Sequence, residues 1–323
     1  MKFKSLLAVA AALCVAQIAP LHAQSEPYPS KPIRLIVPFP PGGGSDPVAR
    51  VIAKGLSERL GQQVFVDNRP GGQGTVGTAV AAKSPADGYT LLLFVGALVA
   101  DPWVSKAPPF DPVKDFSFIT QVTHQPSLAV VGPHVPAANL KEFIALAKAK
   151  PDNTLTFGYG SVSGQLTGAL LAQLTGIKIL PVPYKGAAPI MTDLVGGVID
   201  LAFASPPSSI PLIKAGKLRG LTVVGPRRLA SLPDVGTSSE SGVPDFVVDA
   251  WYAIAAPANT PPAIVEKLNA EIRQVIQAPA TQEVLTAAGM EGKVNSPQEI
   301  TKYVAAEYLR WGAIVKAAGI KPE

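Results

Sequence analysis

Short apolar runs alternate along the chain with stretches in which apolar residues recur every three or four positions. Residues 33–37, Ile-Arg-Leu-Ile-Val, form the first run, dense enough for a strand covered on both faces. Ala49, Ile52, Ala53, Leu56 and Leu60 then repeat at helical spacing, with Gly61 as a stop and Asp46-Pro47 as an N-cap followed by proline. Further strands are predicted at residues 63–66, 90–94, 118–122, 127–131, 155–157, 179–182, 201–203, 218–223 and 249–255. Helices are predicted at 75–83, 140–149 (capped by Asn139), 165–174, 189–195 and 209–215. Three more helices follow at 261–276, 279–288 and, behind the cap Ser296-Pro297, up to 317, with no further clear strand. This order predicts an α/β fold with mainly parallel sheets.

Two loops interrupt the pattern in the same way. Pro38-Phe39-Pro40-Pro41-Gly42-Gly43-Gly44-Ser45 leads from the first strand into its helix, and Gly158-Tyr159-Gly160-Ser161-Val162-Ser163-Gly164 follows the strand at 155–157. Glycines let the backbone approach a ligand closely, and the first N–H groups of a helix have no partner of their own. A strand, a glycine-rich turn and a capped helix together build an anion site from the main chain. The first loop has no Lys or Arg, so amide dipoles and hydroxyls must hold the anion. Its spacing is neither G-x-G-x-x-G nor a P-loop, which argues against nucleotides. In open α/β sheets ligands sit beyond the carboxyl ends of the strands, so two such loops facing each other predict a cleft.

Composition narrows the partners. Lys2 and Lys4 precede an apolar run over residues 6–18, and Leu21-His22-Ala23 stands before Gln24, the pattern of a secretory signal peptide at 1–23. The apolar run is shorter than the roughly 20 residues of a membrane span. Cleavage removes the single cysteine, Cys14, and takes Lys plus Arg from 28 to 26 against 23 acids, a net charge of +3. Charge this small and without runs gives no case for nucleic acid. The expected mature chain is periplasmic and monomeric. It divides into a first lobe of 24–122 plus 249–323 and a second of 123–248, with crossings near Val122 and Asp249.

The parts of an enzyme are missing from this pattern. The mature chain has two histidines, His124 and His134, and no metal-ligand spacing, so neither cofactor nor metal is expected. Residues 160–164 miss the nucleophile elbow G-x-S-x-G because Val162 occupies the serine position, which leaves a hydrolase disfavoured. His134 reads as part of a surface turn, His124 as a hinge residue, and Asp193 and Asp200 as polar groups at element ends.

Taken together, several motifs resemble the Bug family, the periplasmic solute-binding components of tripartite tricarboxylate transporters. They are residues 39–46 with Ala49-Arg50, Asn68-Arg69-Pro70-Gly71-Gly72, Ala86-Asp87-Gly88-Tyr89-Thr90-Leu91, Pro183-Tyr184-Lys185-Gly186 with Asp193-Leu194, and residues 197–200. The resemblance covers almost the whole mature chain in the right order. It implies a two-lobed periplasmic-binding-protein (Venus-flytrap) fold closing on a small carboxylate, and delivery to membrane permease subunits. It also implies roles: Phe39 packs on the ligand's carbon skeleton, and Gly43, Gly44, Ser45 and Asp46 face one carboxylate. Gly160, Ser161, Val162 and Ser163 hold the opposite end, Tyr184 and Lys185 lie near the mouth, and Ser205 lines the second lobe. A carboxylate-sensing signalling component would carry the same features.

Two positions depart from the family pattern: Gln165 replaces a frequent histidine, and Ala204-Ser205 a frequent acid. With both on the cleft wall, that wall would be neutral and would offer an ammonium group no charged partner. The expected ligand is therefore a carboxylate without an amino group.

Overall fold

The structure is a computed structural model that describes residues 27–42, 44–184, 186–287 and 289–322. Residues 1–30 and 31–323 form two separate units; of the first only 27–30 are described, a short irregular stretch. The signal peptide expected at 1–23 lies outside the described residues, as do Gly43 and Lys185.

The second unit opens with β1 (Ile33–Val37), α1 (Ser45–Leu60), β2 (Val64–Asn68), α2 (Thr75–Ala82) and β3 (Thr90–Val95). A 3-10 turn, Gly96–Ala100, leads to the four-residue α3 (Asp101–Val104). Then come β4 (Phe116–Val131), α4 (Leu140–Ala149), β5 (Thr156–Tyr159), α5 (Val162–Thr175), β6 (Leu180–Pro183) and α6 (Ala187–Val195). The remainder is β7 (Leu201–Ala204), α7 (Pro206–Lys214), β8 (Arg219–Val224), β9 (Asp249–Pro257), α8 (Pro262–Gln277), α9 (Pro279–Ala287), β10 (Glu291–Gly292) and α10 (Pro297–Ala317).

The strands lie in the order β2-β1-β3-β9-β4-β7-β5-β6, with β8 and β10 also paired to β4. Pairing is parallel at both ends, β1 with β2 and β3, and β5 with β6 and β7. The central strands β4 and β9 are antiparallel to their neighbours, so the sheet is mixed. The reason is topological. β4 carries the chain across in the sense of the β1–β3 series and so runs antiparallel to β7 and β8, and β9 brings it back in the opposite sense, against β3 and β4.

β4 is one strand of 16 residues where the spacing predicted two short ones. Its first part pairs with β9 and its last residues pair with β7 and β8. His124 and Pro126, which looked like a break, keep partners in Trp251 and Asp249. The register shifts between Phe118 and Thr120 and again between Gln121 and Thr123, leaving Ile119 and Val122 without partner residues on β9. Bulges of this kind free backbone groups that must be paired elsewhere. Asn269 Nδ2 of α8 donates to the Ile119 carbonyl at 2.7 Å and to the Asn295 carbonyl at 2.8 Å. The Lys293 N–H donates to the Val122 carbonyl at 3.1 Å, and the Gln121 N–H to Asn295 Oδ1 at 2.8 Å. The two residues of β10 are too few to leave a periodic signal, and this pairing is what they serve.

One apolar core joins the two halves of the sheet, running from Phe94, Phe118 and Trp251 to Phe157, Leu166, Leu201 and Phe246. Phe94 stacks on Trp251 with centroids 5.9 Å apart, and Phe203 meets Phe246 edge-on at the same distance. Asn269 is the polar pin through this architecture. Asn269→Leu keeps the branched shape but leaves the Ile119 carbonyl unpaired and removes one of two donors to the Asn295 carbonyl, which Thr120 Oγ1 still reaches at 3.0 Å, at a cost of about 1–3 kcal/mol. Urea unfolding of the variant is expected to show this loss with an unchanged m-value; a loss below 0.5 kcal/mol (an order-of-magnitude threshold) would show that the bulge is satisfied by other means.

Candidate ligand-binding cleft

The first glycine loop is held as a closed ring. Gly44 takes the cap position of α1 in helical geometry (φ −60°, ψ −25°), so Asp46 sits in the first turn and does not cap the helix. Its buried carboxylate accepts from the Gly42 N–H at 3.2 Å, from Arg50 Nε at 2.8 Å and from Asn68 Nδ2 at 3.4 Å. Asn68 Nδ2 also donates to the Phe39 carbonyl at 3.0 Å. The Arg50 hydrogen bond holds the Asp46 carboxyl below the usual carboxylate range, against the opposing effect of burial. Gly42 has φ +79°, a conformation that favours glycine. The Phe39 ring packs against Gly74, where a Cβ would stand 3.0 Å from its Cζ.

The second loop is shorter than its sequence suggests, because α5 begins at Val162. Ser161 is its N-cap, accepting from the Gly164 N–H at 3.3 Å, with Ser163 Oγ 3.1 Å away. Val162, Ser163 and Gln165 therefore belong to the first helical turn. Gly160 lies flat on the chain at Gly186, where a Cβ would come within 2.9–3.0 Å of backbone atoms.

Both loops reach one cavity of about 270 Å³. Phe39 enters from the first loop, and Ser161, Ser163, Gly164 and Thr167 from α5. Val95, Gly96 and Ala97 contribute from the end of β3, and Asp249, Trp251 and Tyr252 from β9. Gly96 is what allows Trp251 its place, since a Cβ there would lie 2.5 Å from the indole ring. Tyr252 Oη stands 3.6 Å from where a Gly44 Cβ would project, which joins the wall to the first loop. Burial pushes the Tyr252 phenol up to about 12, so it stays a neutral donor.

Of the residues singled out in the sequence, Phe39, Ser161 and Ser163 line this cavity, while Gly44, Ser45, Asp46, Gly160 and Val162 are not in its lining. Gln165 faces a separate groove of about 320 Å³ with Phe157, Ala172, Ala317 and Ile320. The Tyr184 hydroxyl donates to Asp193 at 2.7 Å, and burial, aided by that bond, pushes its phenol up to about 12. Ser205 Oγ lies 3.0 Å from Ser208 Oγ at the start of α7 and is not in the cavity wall. The neutral wall expected from Gln165 and Ser205 therefore does not describe this cavity, whose lining includes the acid Asp249.

Sequence reasoning passed over Asp249, Trp251 and Tyr252. The signal was present: an acid and two large aromatics on a strand predicted to be a buried crossing. Asp200 acts as read, accepting from the Thr156 N–H at 2.8 Å, with His134 Nε2 3.1 Å away. Among the described residues no group of three or more His, Cys, Asp or Glu could hold a metal, and no helix is long and apolar enough to cross a membrane.

Residues 48–320 match the family described as tripartite tricarboxylate transporter family receptor. Protein BugT of Bordetella pertussis is 36% identical over 307 residues, covering 94% of this chain and 93% of its own. Among solved structures, the R. palustris protein Rpa4515 with adipate is 34% identical, with a TM-score of 0.79 over 92% of this chain and 100% of its own. MatC from Rhodopseudomonas palustris with bound malate is 29% identical, with a TM-score of 0.75 over 89% and 100%. The mixed sheet, the crossing strands and the cleft are thus those of a two-lobed periplasmic-binding-protein fold, and the chain belongs to the tripartite tricarboxylate transporter receptor family.

Proposed function

We propose that this protein is a periplasmic solute-binding protein. It captures a small carboxylate between two lobes, 24–122 with 249–323 and 123–248, and passes it to the membrane subunits of a tripartite transporter. The observation that carries this reading is the meeting of two glycine- and serine-rich strand-to-helix loops, one from each half of the sheet, at one cavity. The adipate and malate in the two related structures support the ligand class.

Each part has a physical role. The unpaired N–H groups at the start of α5, with the hydroxyls of Ser161 and Ser163, donate to one carboxylate. The ring closed by Asp46 and Asn68 fixes the first loop so that its amides are ordered before the ligand arrives, which reduces the entropy lost on binding. Phe39 and Trp251 cover the carbon skeleton. Hydrogen bonds to a charged group contribute roughly 1.5–3 kcal/mol each. Four of them, less the ordering cost, reach about −8 kcal/mol, a micromolar dissociation constant. The ligand leaves unchanged, and the protein acts as a monomer.

A thermal-shift series with mono-, di- and tricarboxylates tests the function. A ligand at 100 times its dissociation constant adds about 2.7 kcal/mol of apparent stability. No upward shift with any carboxylate would remove the reading. Replacing Ser161 and Ser163 together by Ala is expected to weaken binding by about 10- to 100-fold, the loss of two hydrogen bonds to a charged group. Loss of the cap costs the apo protein about 1 kcal/mol. Calorimetric titration separates the two effects, and unchanged affinity would place the carboxylate elsewhere.

Asp46→Asn tests the loop. The depressed Asp46 carboxyl contributes stability that is fully present above its unfolded value near pH 4 and is lost as pH falls through its lower folded value. The variant is expected to be less stable than the parent by about 1–3 kcal/mol at pH 7, with the gap closing in acid. A gap independent of pH in urea melts would show that the carboxylate charge is not what holds the loop.

A further inference from the structure

Among the described residues the cavity wall carries one charge, and it has the wrong sign for an anionic ligand. Among the described lining residues there is no Lys, Arg or His, and Asp249 is the single acid. Its carboxylate forms no hydrogen bond or ion pair with any described residue. Burial raises its carboxyl above the ordinary value, and the opposing pull of His124, Lys293, Arg310 and Arg227 does not cancel that effect.

Those groups are already engaged. His124 Nε2 and Arg227 Nη2 both meet Glu291 Oε2, at 2.9 and 3.3 Å. Arg310 pairs with Glu307 at 3.0 Å and donates to the Val247 carbonyl. Lys293 lies over the Tyr303 ring, 5.8 Å from its centroid. His124, Arg227 and Lys293 line a smaller cavity of about 190 Å³ that shares Asp249 with the ligand cavity, and none of them lines the ligand cavity itself. A dicarboxylate entering the cleft would add two negative charges beside a third, with neutral donors alone to offset them. An unpaired acid half-buried in such a wall is satisfied by a cation that arrives with the ligand. The aromatic side chains around it, Phe39, Phe203 and Trp251, suit an ammonium group as well as a carbon skeleton.

We propose that Asp249 is the specificity residue of the cleft and that it pairs with an ammonium group, so that the preferred solute is an amino-bearing carboxylate. This rests on the carboxylate-capture reading and narrows it. In this arrangement the carboxylate goes to the start of α5 and the ammonium to β9, and the bound pair adds no net charge to the wall.

Calorimetric titration with two matched sets decides it: aspartate, malate and succinate, and 6-aminohexanoate with adipate. The intact protein is expected to bind at least one amino member 10-fold or more tightly than its matched partners, a ratio on the order of what one desolvated charge pair supplies. In Asp249→Asn that ratio should fall to within about twofold, with the diacids bound as tightly as before or more so. A diacid or malate bound more tightly by the intact protein would overturn the proposal and leave carboxylate capture standing. A ratio unmoved in a folded Asp249→Asn variant would do the same. Should the variant not fold, the ratio measured on the intact protein decides alone. Binding of none of the five overturns the proposal, and carboxylate capture falls with it only if no mono-, di- or tricarboxylate raises the melting temperature either.

Discussion

Everything in this molecule depends on one long strand passing through both halves of the sheet without leaving its backbone unpaired. β4 manages this with two register shifts, each of which frees groups in the interior. Those groups are answered by the far end of the chain: Asn269, Lys293 and Asn295 all reach back to residues 119–122. The segment from α8 to Asn295 is thus bound to the first part of β4. It covers the bulges and at the same time supplies the partners that covering takes away from water.

The position of the cleft follows from the same constraint. Because β4 and β9 are shared by both halves, the carboxyl ends of β1 and β3 on one side and of β5 on the other come to face a common floor. Each of β1 and β5 passes through a glycine loop into a helix whose first amides lack partners. The two loops are stabilised differently. The first is tied by a buried carboxylate and an asparagine, and the second by a serine cap and by close backbone contact at Gly160. The cavity therefore has one wall fixed by side chains and another fixed by helix geometry.

Much of this was legible in the residues. The run 33–37, the helix to Gly61 and the caps at Asn139 and Ser296 stand where the sequence put them. These are local signals, complete within a few residues. Non-local features were harder to read. The continuity of β4 through His124 and Pro126 depends on partners more than a hundred residues away, and β10 is defined by pairing alone. The loops were found because glycine and serine advertise themselves, yet the cavity wall also comes from a strand whose side chains looked like ordinary core. Gln165 misses the wall for a rotational reason: it stands two residues, about half a turn, from Ser163, which faces the cavity, and α5 begins earlier than its apolar spacing suggests. Ser205 is the cap of α7 and lies outside the cavity lining.

The groove beside Gln165 has a practical consequence. Its other side is formed by Ala317, Ala318 and Ile320, a few positions from the end of the chain. Helix α5 is therefore touched by the ligand cavity at its first turn and by the C-terminal segment along its flank. A fluorophore carried at Ile320 would sit in this groove, against the flank of α5. That groove is consequently a poor place to tether the protein and a good one for a reporter meant to feel a change on the opposite face of α5.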